Sequence, residues 1–182
     1  MRRLMGMFMG IAAMVGFASP ALAQLAEGAK APDFKTMGAL GGDMFRLQLS
    51  EQLKHGPVVL YFFPKAFTKG CTLESKAFAD AMPEFRKAGA RVVGLSTDDL
   101  DTLSRFSTEE CRSIVPMARA TDEIVEAYDV AMPVVDSVTP MTDRTSYVIA
   151  QDGTIAMVHS EMGHEEHVAK TLAAVRELAE RS

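Results

Sequence analysis

Six consecutive apolar, β-prone residues, Val58-Val59-Leu60-Tyr61-Phe62-Phe63, are stopped by Pro64 and followed a short loop later by Cys71. A run without polar alternation does not suit a half-solvated sheet. It suits a central strand covered on both faces, as in a parallel sheet between helices. The flanking sequence supplies such helices. Over residues 72–88, Leu73, Ala77, Phe78, Met82 and Phe85 recur at helical spacing, with Gly89 as a cap and Pro83 expected to bend or break the helix. Residues 91–96 read as a second buried strand. Residues 97–111 read as a helix that starts on Asp98 and Asp99 and ends at Cys111. Residues 122–128 form a short helix.

Two strands, 145–150 and 154–160, flank an Asp152-Gly153 hairpin signal, and residues 165–180 close the chain as an amphipathic helix. Residues 31–47, with Pro32, Gly38, Gly41 and Gly42, read as extended chain and turns, and 112–117 as irregular. The order β, α, β, α, β-hairpin, α is that of an α/β, thioredoxin-like sandwich, a central mixed sheet flanked by helices.

The first residues follow a different logic. Arg2 and Arg3 precede an apolar run over residues 4–18, and Ser19-Pro20-Ala21-Leu22-Ala23 ends in an Ala-x-Ala pattern. This is the pattern of a secretory signal peptide cleaved after Ala23, and the run is shorter than the roughly 20 residues that a membrane span needs. The expectation is a leader over residues 1–23, a single domain over 24–182, and an exported, periplasmic protein with no stable membrane anchor. The formal charge is −5, and removing the leader removes two arginines and no acid. Such an acidic chain lacks the electrostatic footprint for nucleic acid and the basic patch for anionic lipid. With 48% hydrophobic and 24% charged residues, it is not a disordered chain.

Two cysteines, Cys71 and Cys111, lie beyond the leader. In an oxidising compartment such a pair reads either as a structural disulfide or as redox-active. The local sequence favours chemistry for Cys71. It falls in the first turn of a helix that follows a central strand, where unpaired backbone N–H groups and the positive end of the helix dipole favour a thiolate. Crevices at the C-terminal ends of such strands are where open α/β sheets bind ligands.

Pro64-x-x-x-Thr68-x-x-Cys71 resembles the P-x-x-x-T-x-x-C motif of peroxiredoxins, and the surrounding VVLYFFPKAFTKGCTLE resembles their PrxQ branch, also called bacterioferritin-comigratory protein. The likeness extends to Gly28-Ala29-Lys30-Ala31-Pro32-Asp33-Phe34, to Val93-Gly94-Leu95-Ser96, and to Arg144-Thr145-Ser146-Tyr147-Val148-Ile149.

The resemblance implies a peroxidase that takes hydrogen peroxide and organic hydroperoxides. Cys71 would attack one peroxide oxygen and become a sulfenic acid. Thr68 would offer its hydroxyl to the thiolate and the peroxide. Arg144 would stabilise thiolate and leaving oxygen, and Pro64 would shield the sulfur from water. On the residues alone, Arg144 reads equally as a surface ion pair with Asp143 or Asp152. The family reading further implies no bound cofactor, a thioredoxin-like protein or small thiol as reductant, and a monomer or weak homodimer.

Many PrxQ members carry a resolving cysteine five residues after the first, where this chain has Lys76. Others place it in the following helix, and Cys111, forty positions after Cys71, sits about one turn later than that pattern. Resolution by Cys111 would require local unwinding around both cysteines, because a disulfide tolerates Cα atoms only within roughly 7 Å. A one-cysteine enzyme and a disulfide between subunits are the other possibilities.

Two functions on the same fold compete. A thiol–disulfide oxidoreductase needs Cys-x-x-Cys, but Glu74 and Ser75 occupy the nearby downstream positions. A copper-delivery protein needs Cys-x-x-x-Cys, and the matching residue is again Ser75. His159, His164 and His167 with Glu161 match no tight zinc spacing. Met132, Met141, Met157 and Met162 read as core and loop filling, and Lys65 and Lys69 as solvated residues beside the active loop.

Overall fold

The computed structural model describes residues 25–132 and 141–181; the expected leader lies outside them. Strands β1 (Lys35–Leu40) and β2 (Asp43–Gln48) are followed by α1 (Leu49–Leu53), β3 (Val58–Phe62), α2 (Lys69–Lys87), β4 (Arg91–Ser96) and α3 (Leu100–Glu109). Then come β5 (Met117–Arg119), α4 (Asp122–Ala127), β6 (Ala131–Met132), β7 (Met141–Thr142), β8 (Thr145–Ile149), β9 (Ile155–Ser160) and α5 (His167–Arg181). Seven strands form one mixed sheet in the order β2-β1-β5-β4-β3-β8-β9, and β6 pairs with β7 separately. None of the described helices is long and apolar enough to cross a membrane.

The apolar run behaves as its composition requires. All five residues of β3 are buried. The strand pairs in parallel with β4 (Tyr61 opposite Gly94) and antiparallel with β8 (Leu60 opposite Tyr147). Because side chains alternate across a strand, Val59, Tyr61 and Phe63 enter one core with Phe78, Phe85 and Phe106, while Val58, Leu60 and Phe62 enter the other with Leu49, Ile124 and Tyr128. Phe78 stacks on Tyr61 with ring centroids 4.2 Å apart. Truncating a buried phenylalanine of this kind to alanine costs about 3–5 kcal/mol. Gly94 is needed where it stands, since a Cβ there would lie 2.6 Å from the Tyr61 ring and 2.7 Å from Met117 Sδ.

Several boundaries differ from the sequence reading. The helix α2 continues unbroken through Pro83. Pro83 is exposed, and Met82 and Phe85 on either side are buried. Core packing of those neighbours therefore outweighs the roughly 3 kcal/mol that an interior proline costs. Helix α3 is shorter at both ends than expected. It starts after Asp99, whose carboxylate caps it by accepting the Thr102 N–H at 2.8 Å, and it stops at Glu109. Cys111 thus lies beyond the helix. Residues 35–48 form a full antiparallel hairpin, turned by Gly41 (φ 59°) and Gly42 (φ 96°), conformations that glycine adopts at no steric cost.

Candidate active site

The chain leaves β3 at Phe63, whose carbonyl accepts the Thr142 hydroxyl at 2.8 Å, and crosses Pro64 to enter α2. Asp98 fixes that crossing. Its Oδ2 accepts the Ala66 N–H at 2.7 Å and the Ser96 hydroxyl at 2.8 Å, and Oδ1 lies 3.9 Å from Lys65 Nζ. Phe67 takes a left-handed conformation, φ 62°, that bulky residues rarely adopt. Its ring stands edge-on to Phe106 at 5.2 Å and lies under the Arg105 guanidinium at 5.3 Å.

Thr68 is the N-cap of α2, in extended conformation. Its hydroxyl donates to Lys65 O at 2.9 Å rather than to Cys71, and the residue is exposed. Pro64 is half-buried. Cys71 is the third residue of the helix and only 1% exposed. The first-turn N–H groups have no carbonyl of their own helix to bond, and the axial dipole presents its positive end there.

Arg144 reaches Cys71 from the start of β8. Nη2 donates to Cys71 Sγ at 3.5 Å, Nε donates to Met162 O at 2.9 Å, and Nη1 pairs with Glu74, one turn after Cys71 on α2. Arg144 is 5% exposed and Glu74 fully buried. This is the reverse of the surface ion pair that the sequence alone left open. Gly70 keeps the approach clear, since a Cβ there would come within 3.2 Å of Arg144 Nη2.

His167, the first residue of α5, stands behind Glu74. Its Nε2 is 2.9 Å from Glu161 O, and a carbonyl can only accept, so Nε2 carries the proton. Nδ1 therefore accepts the Ser146 hydroxyl, at 2.8 Å. Glu74 Oε1 lies 3.7 Å from that nitrogen and has no hydrogen bond among the described residues.

Burial dominates the charges in this network. It pushes the Glu74 carboxyl up to about 7, against the pull of Arg144. Burial likewise drives the His167 imidazole down to about 4. For Arg144 burial works against the charge, but Glu74 and Cys71 outweigh it and hold the guanidinium protonated. The result is a buried, permanently charged fork with one tine on a thiol and the other on a carboxyl.

Both cysteines are free. Cys111 is buried in the same core as Cys71, and its thiol is pushed up to about 12, chiefly by burial. The Ser75 hydroxyl, which accepts from Tyr61 Oη at 3.1 Å, lies against it. Ser75 is four residues after Cys71, so Cys111 sits one helical turn along α2 from the reactive position. Since α3 already ends at Glu109, Cys111 has no helix to unwind; only its own loop and the first turn of α2 stand in the way.

The sequence reading brought together Cys71 and Arg144 but missed Glu74, His167 and Asp98 as parts of the site. Glu74 had a signal: it follows Cys71 at a spacing of three, the same face of a helix. His167 and Asp98 had none, because sheet topology alone brings them close. Of the histidine group, His159 approaches Glu161 and Glu166. There the Lys170 ammonium already sits 3.3 Å from His159 Nδ1 and 2.7 Å from Glu166.

The sequence profile of the AhpC/TSA family matches residues 28–158. Peroxiredoxin Bcp of Escherichia coli (strain K12) is 32% identical over 112 residues, covering 60% of this chain and 72% of that protein. The chloroplastic Peroxiredoxin Q of Oryza sativa subsp. japonica is 27% identical over 156 residues, 85% of this chain and 69% of the relative. Among solved structures, Peroxidoxin BcpB from Mycobacterium tuberculosis superposes with a TM-score of 0.74 at 31% identity, over 83% of this chain and 96% of that one. Xanthomonas campestris Peroxiredoxin Q gives 0.68 at 26% identity, over 79% and 90%.

Proposed function

The chain belongs to the AhpC/TSA family and is a peroxiredoxin, a thiol peroxidase, and from that premise we propose that Cys71 is its peroxidatic nucleophile and Arg144 the residue that activates it. The observation that carries this reading is the 3.5 Å contact between Arg144 Nη2 and Cys71 Sγ at the N-terminus of a buried helix.

The Cys71 thiolate attacks the nearer peroxide oxygen. An S–O bond forms, the O–O bond breaks, and the departing oxygen leaves as water or an alcohol after taking up a proton. Arg144 supplies a fixed positive charge where negative charge moves from sulfur to the leaving oxygen, a type of stabilisation that needs no reorganisation during the step. Thr68, whose own proton is committed to Lys65 O, keeps lone pairs with which to accept the peroxide O–H. Pro64 narrows access to the sulfur.

The sulfenic acid is then resolved by Cys111. Its sulfur attacks Cys71 Sγ, the S–S bond forms and the hydroxyl leaves as water. A dithiol donor reduces the disulfide. Peroxiredoxins use thioredoxin-like reductants, and the basic–apolar–Ala-x-Ala start of the chain supports an exported protein served by an exported thioredoxin-like protein or a small thiol. Trapping tests the reading directly. In Cys111→Ser, one equivalent of hydrogen peroxide should leave a sulfenic acid on Cys71 that a dicarbonyl probe labels, located by peptide mass spectrometry. Label elsewhere, or none, contradicts the assignment.

A further inference from the structure

The segment that carries Cys111 is tied to α2 on both sides of the cysteine. Glu110, immediately before it, places Oε2 2.7 Å from Lys76 Nζ. Arg112, immediately after it, pairs with Asp80. Lys76 and Asp80 are four residues apart, hence neighbours on one face of the helix that also carries Cys71. The backbone between the two ties is unusual: Arg112 (φ 53°) and Ser113 (φ 56°) are consecutive left-handed residues, and neither is glycine. Such conformations persist only where surrounding contacts over-determine them. Here those contacts are the two ion pairs, the Ser113 N–H bond to Ser107 O at 2.9 Å and the Ile114 N–H bond to Cys111 O at 3.0 Å.

We propose that Lys76 and Asp80 are positioning residues for the resolving half of the reaction: their ion pairs clasp the Cys111 segment to α2, and the release of that clasp sets how fast the Cys71 sulfenic acid becomes a disulfide. The proposal rests on the reading that Cys111 resolves. While the clasp is closed, Cys111 stays buried and protonated. A second peroxide can then react with the sulfenate: its O–O bond breaks as a second S–O bond forms, its other oxygen leaves as water after taking up a proton, and Cys71 becomes a sulfinic acid. When the clasp opens, Arg112 and Ser113 leave their left-handed conformation and the Cys111 thiol reaches water and ionises. It then attacks Cys71, expelling the hydroxyl as water. Resolution and over-oxidation therefore compete, and the clasp decides between them. Both ion pairs are partly exposed, so salt screens them.

The test follows disulfide formation in the full chain after one equivalent of hydrogen peroxide, by mass spectrometry of quenched, non-reduced samples. Wild type is compared with Lys76→Ala/Asp80→Ala at low and high salt. Exposed ion pairs contribute about 0.2–1 kcal/mol each, roughly 1.4- to 5-fold in an equilibrium, so the double variant should form the disulfide about 2- to 30-fold faster. It should also yield less sulfinic acid under excess peroxide. Wild type should accelerate with salt and the double variant should not. Exchanging the charges in wild type, Lys76→Glu with Glu110→Lys, reverses the polarity of one tie and leaves the Arg112–Asp80 tie in place, and should keep the slow, salt-sensitive rate. A Cys71–Cys111 disulfide formed at the wild-type rate and salt dependence in the double variant overturns the clasp alone. No such disulfide in any variant at any salt overturns resolution by Cys111, and the clasp with it.

Discussion

Arg144 donates to Cys71 Sγ at 3.5 Å from a side chain that is 5% exposed, so the positive charge at the thiol is unscreened by water. The same guanidinium pairs with Glu74, and the two contacts make Arg144 structural and chemical at once. Removing it therefore has two measurable effects. Arg144→Ala should slow Cys71 oxidation about 100-fold or more, as loss of a preorganised charge-stabilising donor does. It should also cost about 3–5 kcal/mol of stability, because a buried partner is left unpaired. Stopped-flow oxidation and urea unfolding read the two separately. An unchanged oxidation rate with lowered stability would leave Arg144 a purely structural role.

Glu74 and His167 predict a pH signature of opposite signs. Burial raises Glu74 from 4.5 to about 7, so its contribution favours folding fully below pH 4.5 and is lost as pH rises through 7. His167 is lowered from 6.5 to about 4, so its contribution is present above 6.5 and lost as pH falls through 4. Each shift corresponds to about 3 kcal/mol, and between the two limits they offset one another. Glu74→Gln removes only the first. Compared with wild type, it should lose about 3 kcal/mol more stability between pH 7 and pH 4 in urea titrations. Parallel curves for the two proteins would show that Glu74 does not take up a proton in that window.

Asp98 holds the loop between β3 and α2 through the Ala66 N–H and the Ser96 hydroxyl. Asp98→Ala leaves that amide unpaired, which costs about 1–3 kcal/mol. It should also slow Cys71 oxidation, because the loop that sets the Thr68 cap loosens. Asp98→Asn keeps an acceptor and should retain most of both. Equal rates in wild type and Asp98→Ala would remove the loop from the account of reactivity.

At Thr68 the distinction is between hydroxyl and methyl. Thr68→Ser preserves the bond to Lys65 O and the lone pairs offered to peroxide; Thr68→Val removes both at nearly constant volume. The valine variant should show a lower second-order rate with peroxide and the serine variant a rate close to wild type. Equal rates in all three would make Thr68 a helix cap and nothing more.

How much of this was legible before the fold was known depends on the range of each interaction. Val58 to Phe63 announced a doubly covered strand because solvation acts on each residue separately. Pro64, Thr68 and Cys71 announced a site because they sit within one loop and one helical turn. Pro83 misled because a local rule met a tertiary packing energy larger than itself. α3 ends at Glu109, ahead of Cys111, and the loop beyond it carries two left-handed residues, Arg112 and Ser113, that no composition signal marks. The partnership of Glu74 with Arg144, seventy positions apart, exists only because β8 pairs beside β3. A list of charged residues cannot foretell which two will share a buried site.

The most direct test of the central claim is peroxide consumption by Cys71→Ser beside wild type, with a common reductant and circular dichroism to establish that both are folded. Serine keeps the size and the helix position of the cysteine but cannot form a sulfenic acid. The account predicts that Cys71→Ser consumes hydrogen peroxide no faster than the uncatalysed mixture while its melting curve shows a folded protein. Catalysed turnover in folded Cys71→Ser would contradict it.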